Sequence, residues 1–187
     1  MISTDPQDEE FDLLDAYGHP LGVRKRRGDV HRDGDWHAAM HLWVGGVGAG
    51  GPFVLFQRRS LTKDTCPGFL DVAVGGHLRA GESFAETARE AEEEIGLAVG
   101  LESLVRIGRR FMGQPGDRDR ELQEVFAVRS DLPLAAYVLH PEEVDGIAAA
   151  GLEAALALFR RETDEIAATE VARDGRTRRA SMRVADF

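Results

Sequence analysis

The stretch GGHLRAGESFAETAREAEEEIGL, residues 75–97, decides how the chain is read. Ser83 with Glu86 three residues on is a capping-box pattern, and Gly96 is well placed to end a helix, so the spacing predicts a helix over residues 84–95. At about 100° per residue, Phe84, Ala88, Ala91 and Ile95 share one stripe while Glu86, Glu90, Glu93 and Glu94 gather opposite it. Glu90, Glu93 and Glu94 stand at i, i+3 and i+4, so their carboxylates project together and repel unless a cation intervenes. Hard oxygen ligands of this kind suit Mg²⁺ or Mn²⁺. Such an ion polarises a phosphoryl oxygen and acidifies a bound water. The bland alternative is a solvated acidic face. Two neighbours weigh against it: Gly75-Gly76, which let a backbone carbonyl approach a metal, and Arg89, placed to pair with Glu93 or reach back to Glu82.

Working outward, residues 11–23 read as a strand pair about Gly18-His19-Pro20, followed by a basic cluster at 24–27 and a turn at Asp33-Gly34. Residues 40–44 and 53–57 are strand-like around a glycine-rich loop, 45–51. Residues 61–69 form a loop and 70–74 a short strand. Residues 104–111 and 121–128 read as strands around a polar loop at 113–120, and 144–149 as another. Residues 151–162 look helical, and Asp174-Gly175 between two β-favouring stretches leaves the tail over 166–187 to form a hairpin or stay loosely attached. No internal repeat is present.

A length of 187 residues suits one domain with an N-terminal strand extension (about 1–36) and a C-terminal helix plus tail (about 150–187). The net charge of −10 argues against a protein that wraps nucleic acid, yet leaves room for a small polyanion held through a metal. Cys66 is the single cysteine, so there is no disulfide framework and an incidental thiol is its simplest reading. No apolar run matches a membrane span, and the acidic start at 1–10 lacks the regions of a signal peptide. A cytoplasmic location without membrane association is the expectation.

Residues 76–97 resemble the Nudix box, in which a Gly precedes a Glu, then Arg-Glu, a hydrophobic residue, any residue, Glu-Glu, any residue, Gly and a hydrophobic residue. Gly76, Glu82, Arg89, Glu90, Ala91, Glu92, Glu93, Glu94, Ile95, Gly96 and Leu97 supply it. The family usually places seven residues between the first Glu and the Arg; this chain has six, 83–88. On a regular helix that loss rotates Glu82 by about 100° relative to the metal-binding turn. The resemblance implies an α/β fold, a Nudix α/β/α sandwich with a mixed β-sheet between helices. It also implies hydrolysis of a diphosphate linkage in a nucleoside diphosphate derivative or nucleoside triphosphate.

The same resemblance makes Glu90, Glu93, Glu94 and the Gly75 carbonyl ligands of Mg²⁺ or Mn²⁺. It places Arg89 in the catalytic set, with Glu93, Glu94 or Glu121 as the proton acceptor; Glu121 and Glu124 could equally be strand-edge charges. Similarity to the branch containing isopentenyl-diphosphate isomerase and its hydrolase relatives runs from about 12 to 128. Arg59 and Lys63 match diphosphate-contacting positions there, with a solvated basic loop as the bland alternative. His77 joins them as a substrate-binding residue. His31, His37 and His77 are also similar to the isomerase's histidine ligands, and Asp119 and Glu121 to its carboxylates. The isomerase has a catalytic cysteine just before the Gly-His pair, where this chain has Ala73-Val74-Gly75 before Gly76-His77. Two readings stand beside the hydrolase: an isoprenoid-diphosphate isomerase and a diphosphate-binding module without catalysis. Dimers are common among such relatives, so a homodimer is compatible with the resemblance.

Overall fold

A computed structural model describes residues 4–114 and 116–187. The first three residues of the acidic start and Pro115 of the 113–120 loop lie outside the described residues. β1 (Glu10–Leu14) and β2 (Pro20–Arg26) form the expected antiparallel pair, with Phe11 opposite Lys25. The basic cluster then runs into a short helix, α1 (Arg27–Asp33), which periodicity did not announce; it ends on Gly34, whose left-handed φ of 66° makes the turn expected at Asp33-Gly34.

Much of the supposed glycine loop at 45–51 is strand. β3 (Trp36–Gly48) and β4 (Gly51–Arg59) run almost to a tight hairpin, because backbone pairing from Gly45↔Val54 to Gly48↔Gly51 needs no side chains. The single strand expected at 70–74 is two: β5 (Leu70–Val72) pairs with β4, and β6 (Val74–His77) pairs with β3. The change of partner occurs at buried Ala73 and forks the sheet. β7 (Val105–Met112), β8 (Arg120–Arg129) and β9 (Val144–Gly151) follow expectation, and the tail forms the hairpin of β10 (Ile166–Ala172) and β11 (Thr177–Met182). The strands join in one eleven-stranded sheet, mixed because β3 and β8 run parallel while the other pairs are antiparallel.

The predicted helix over 84–95 is shorter and compound: a 3-10 turn over Glu86–Arg89 leads into α2 (Glu90–Ile95). A 3-10 turn advances about 120° per residue against about 100° in an α-helix, so four residues recover about 80° of the rotation lost with the missing residue. The capping box forms, with Ser83 N–H donating to Glu86 Oε2 at 2.8 Å and Glu86 N–H reaching Ser83 Oγ at 3.4 Å. Ala91 and Ile95 bury against Met40, Leu42, Leu55 and Ile147. On the opposite face Val54, Phe56, Ala148 and Ala150 pack against Ala155 and Leu158 of α3 (Leu152–Phe159), which is shorter than the 151–162 expected. Alternation along β4 and β9 thus produces the three-layer sandwich. No helix is long and apolar enough to cross a membrane among the described residues.

Glu170 of β10 ties the last hairpin to β4. Its buried carboxylate accepts from Arg58 Nε at 2.9 Å, Arg58 Nη2 at 3.0 Å and Arg178 Nη2 at 3.0 Å. Burial raises its pKa, but the Arg58 and Arg178 contacts outweigh it and the net shift is downward. Because the folded pKa is depressed, the stabilisation is full above the unfolded carboxyl pKa and is lost as pH falls through the folded one. Glu170→Ala is therefore expected to cost about 2 kcal/mol at pH 7, discounted for the partly exposed arginines, and to flatten the acid limb of stability against pH in denaturant titrations. An unchanged acid limb would remove Glu170 from this role.

Candidate metal and diphosphate site

The fork in the sheet is where the site lies. Pairing of β3 with β6 and with β8 puts His37, Ala39 and His41, Gly75 and His77, and Glu121 and Gln123 on one face. A cavity of about 280 Å³ opens there, lined from β3 and β6 on one arm, by Gln57, Arg59 and Asp71 of β4 and β5 on the other, and by Glu90, Glu93 and Glu94 of α2. Gly75, Lys63, His77, Asp119 and Glu121 line it as well, so most residues singled out for metal, phosphate or proton chemistry face one space, Arg89, His31 and His37 being set behind its lining. Cys66 lines it too, on an exposed turn with φ 45°.

Arg89 stands behind the helix carboxylates. Its guanidinium meets Glu82 Oε1 at 3.0 Å and 3.1 Å, Glu90 Oε1 at 2.7 Å and Glu93 Oε2 at 2.7 Å. The 3-10 turn recovers most of the rotation expected to displace Glu82, which meets Arg89. A Cβ at Gly76 would lie 3.0 Å from Glu90 Cγ, so a glycine there lets the first carboxylate settle onto β6. Glu94 is buried and accepts from Gln57 Nε2 at 3.2 Å. Burial, then Glu90 and Glu143, push its pKa well above the usual carboxylate range. Glu90 is also raised, chiefly by burial. Glu93 is half-exposed at the rim.

The tightest set of ligand atoms lies on the other side of the cavity. Among the described residues, His31, His37, His77 and Asp119 bring one ligand atom each within 4.8 Å of one another. Asp119 Oδ1 is 3.4 Å from His37 Nε2, 3.8 Å from His77 Nε2 and 3.9 Å from His31 Nε2. A tetrahedral shell with bonds of about 2.1 Å separates its ligands by about 3.4 Å, so the quartet fits a cation after small closure. Supporting this, His31 Nε2, His37 Nε2 and Asp119 Oδ1 are buried and without hydrogen-bond partners in the structure.

The surroundings orient the ligands. His37 Nδ1 donates to the Asp35 carbonyl at 3.0 Å, which turns its Nε2 lone pair inward. Phe11 of β1 lies beneath all three imidazoles, with ring centroids 5.3 Å from His37, 5.1 Å from His77 and 6.1 Å from His31. Burial lowers the His31 pKa to about 4, which keeps it neutral and able to ligate. For His77 burial works the same way, but the nearby Asp119 and Glu121 carboxylates prevail and turn the shift upward. His77 Nε2 lies 2.8 Å from Glu121 Oε1, and Arg27 Nη1 donates to Nδ1 at 3.1 Å. For Glu121 and Asp119, burial raises the pKa but the histidine contacts outweigh it, bringing Glu121 down to about 2 and Asp119 lower still.

Arg59 and Lys63 face the cavity with their charges already engaged. Arg59 bonds the Thr65 carbonyl at 3.0 Å and Asp71 Oδ2 at 3.2 Å; Lys63 bonds Glu143 Oε2 at 2.5 Å and also Asp5. Sequence reasoning had not included Asp5, Arg27, Gln57, Phe11, His41 or Gln123 in the site. The first four come from distant segments and carry no local signal; His41 and Gln123 follow from period-two alternation with His37 and Glu121 once the strand register is known.

The quartet yields a direct test. Mn²⁺ at about a hundredfold its Kd is expected to stabilise the fold by about 2.7 kcal/mol, a rise in melting temperature of roughly 5–10 °C. His37→Ala and Asp119→Asn should abolish the rise. A rise that survives both but disappears in Glu93→Gln would move the ion to the helix.

Comparison with known proteins shows the family and the fold. The NUDIX domain family model matches residues 39–171. The chain is 34% identical over 143 residues to an uncharacterized Nudix hydrolase of Clostridium acetobutylicum, covering 75% of this chain and 69% of that one. It is 36% identical over 154 residues to Nudix hydrolase 3 of Arabidopsis thaliana, covering 75% of this chain but only 19% of the plant protein. A crystal structure from Deinococcus radiodurans superposes with a TM-score of 0.60 at 22% identity, covering 82% of this chain and 90% of that one. The NUDIX domain of Shewanella oneidensis NrtR, complexed with ADP ribose, superposes at 0.52 with 14% identity, covering 64% of this chain and 75% of that one. A family model spanning residues 39–171 and a relative 34% identical over most of both chains make this protein a member of the Nudix hydrolase family.

Proposed function

We propose that this chain hydrolyses a diphosphate linkage in a nucleoside diphosphate derivative or a nucleoside triphosphate, using a divalent metal ion. The supporting observation is one cavity of about 280 Å³ lined by His77, Asp119 and the α2 carboxylates, with His31 and His37 completing a group of four ligand atoms at its edge. An ADP-ribose complex of a structural neighbour is in keeping with that substrate class. The histidine-rich quartet suits Mn²⁺ or a softer divalent ion better than Mg²⁺, whereas Glu90, Glu93 and the Gly75 carbonyl suit Mg²⁺ or Mn²⁺ arriving with the phosphates. The chemistry a bound divalent ion supplies is neutralisation of phosphoryl oxygens and acidification of water.

The remaining steps belong to side chains. Glu94 is the proton acceptor: it is buried, its proton affinity is raised, and one donor, Gln57, contacts it. Glu121, with both oxygens already accepting, is an anchor for His77 rather than the base. Arg59 and Lys63 stabilise the departing phosphate by exchanging Asp71, Glu143 and Asp5 for phosphate oxygens. Arg89 acts indirectly, by holding Glu90 and Glu93.

A second reading, isoprenoid-diphosphate isomerisation, is favoured by the histidine quartet and Glu121. It lacks a thiol at Gly75, which lies opposite His41 on β3. Product release from a panel of nucleoside diphosphate derivatives, triphosphates and isoprenoid diphosphates with Mg²⁺ or Mn²⁺ distinguishes these. Metal-dependent hydrolysis of a nucleotide is expected, with kcat reduced roughly 10²-fold or more in Glu94→Gln. Isomer formation, or ligand binding without turnover under any metal, would overturn the hydrolase.

A further inference from the structure

Gln123 lines the cavity, fully buried on β8 and opposite Ala39 of β3. Its position two residues after Glu121 puts both side chains on the cavity face. Gln123 Nε2 donates to Glu121 Oε2 and also lies 3.5 Å from Met112 Sδ. Glu121 Oε1 meets His77 Nε2 at 2.8 Å, and His77 Nδ1 accepts from Arg27 Nη1 at 3.1 Å. A hydrogen-bonded chain therefore crosses the floor from β8 to α1, and Gln123 is its neutral terminus. Without Gln123, one oxygen of Glu121 would lose its donor and the carboxylate would be free to turn away from His77.

The other half of the amide is unused. Gln123 Oε1 is buried and accepts no hydrogen bond in the structure. Exchanging the amide's oxygen and nitrogen would set Oε1 against the Glu121 carboxylate, so the orientation is fixed by chemistry. An unpaired buried carbonyl is costly, and a methionine or leucine could fill the place beside Met112 without that cost. A glutamate there would add a like charge against Glu121. A carboxamide is the neutral side chain of this length that offers a donor to Glu121 and an acceptor to the cavity at once.

We propose that Gln123 is a positioning residue of the metal and diphosphate site. Its Nε2 holds the Glu121 carboxylate in place beside the quartet, while its Oε1 accepts a hydrogen bond from the attacking water, a contact that rests on the hydrolase reading above. The water's other proton goes to Glu94 as its oxygen bonds to phosphorus, and the bridging oxygen leaves with the electron pair of the broken P–O bond. Gln123 neither gives nor takes a proton.

The test combines Mn²⁺ affinity, measured by electron paramagnetic resonance without substrate, with melting temperature and steady-state kinetics in Gln123→Met and Gln123→Leu. Mn²⁺ affinity is expected to fall about 10-fold or more in both variants while melting stays near wild type, since the replacements are apolar and of similar size. On the best substrate of the panel, kcat should fall further than KM changes. Wild-type Mn²⁺ affinity in the variants overturns the proposal, as does an affinity loss matched by collapse of the melting temperature in both, which would make Gln123 a packing residue only. A wild-type protein that binds Mn²⁺ but hydrolyses nothing overturns the hydrolase and leaves the affinity comparison to judge the anchoring of Glu121. A wild-type protein that binds no Mn²⁺ overturns both.

Discussion

Mutual repulsion of carboxylates gathered around one small cavity is the constraint on which the rest of the structure depends. Glu90, Glu93 and Glu94 approach from α2, Asp119 and Glu121 from β8 and the turn before it, and Asp5, Asp71 and Glu143 from the rim. Each is managed differently. Arg89 clamps Glu90 and Glu93, and Lys63 and Arg59 neutralise the rim. Glu94 is buried and contacted by Gln57, and its pKa is pushed upward mainly by burial. A divalent cation in the cavity would relieve the same repulsion.

That constraint explains the local architecture. The fork at Ala73 sends β5 to one arm and β6 to the other, so the sheet can supply ligands from two sides without a long loop. Backbone hydrogen bonding continues along both arms, and glycines at 75 and 76 leave room for α2 to lie close above. The 3-10 turn over Glu86–Arg89 is the counterpart in the helix. Winding tighter recovers most of the facing that a missing residue removes, and Arg89 meets Glu82 as a result.

Much of this was legible in the sequence because its signals are local. Ser83, Glu86 and Gly96 marked the ends of the helical segment, β-favouring runs bounded by turn residues marked β7 to β10, and the Arg89 to Leu97 pattern gave the family. The helix boundaries were too generous because a periodic pattern does not distinguish 100° from 120° per residue over one turn. The strand over 70–74 was drawn as one because a change of hydrogen-bond partner leaves no mark on composition. The helix at Arg27–Asp33 was hidden by its polar residues, only Val30 being an apolar anchor. In the site, His31, His37, His77 and Asp119 were visible through likeness to an isomerase, but their convergence required the parallel pairing of β3 with β8, a contact between segments more than eighty residues apart. The engagement of Arg59 and Lys63 by Asp71, Asp5 and Glu143 had no sequence signal at all.

The most direct measurement is anomalous X-ray diffraction at the manganese edge from crystals grown with Mn²⁺. The expected result is a peak within bonding distance of His31, His37, His77 and Asp119, with or without a second peak beside Glu90 and Glu94. A peak on the helix carboxylates alone, or no peak within the cavity, would contradict the assignment of the quartet as the metal centre.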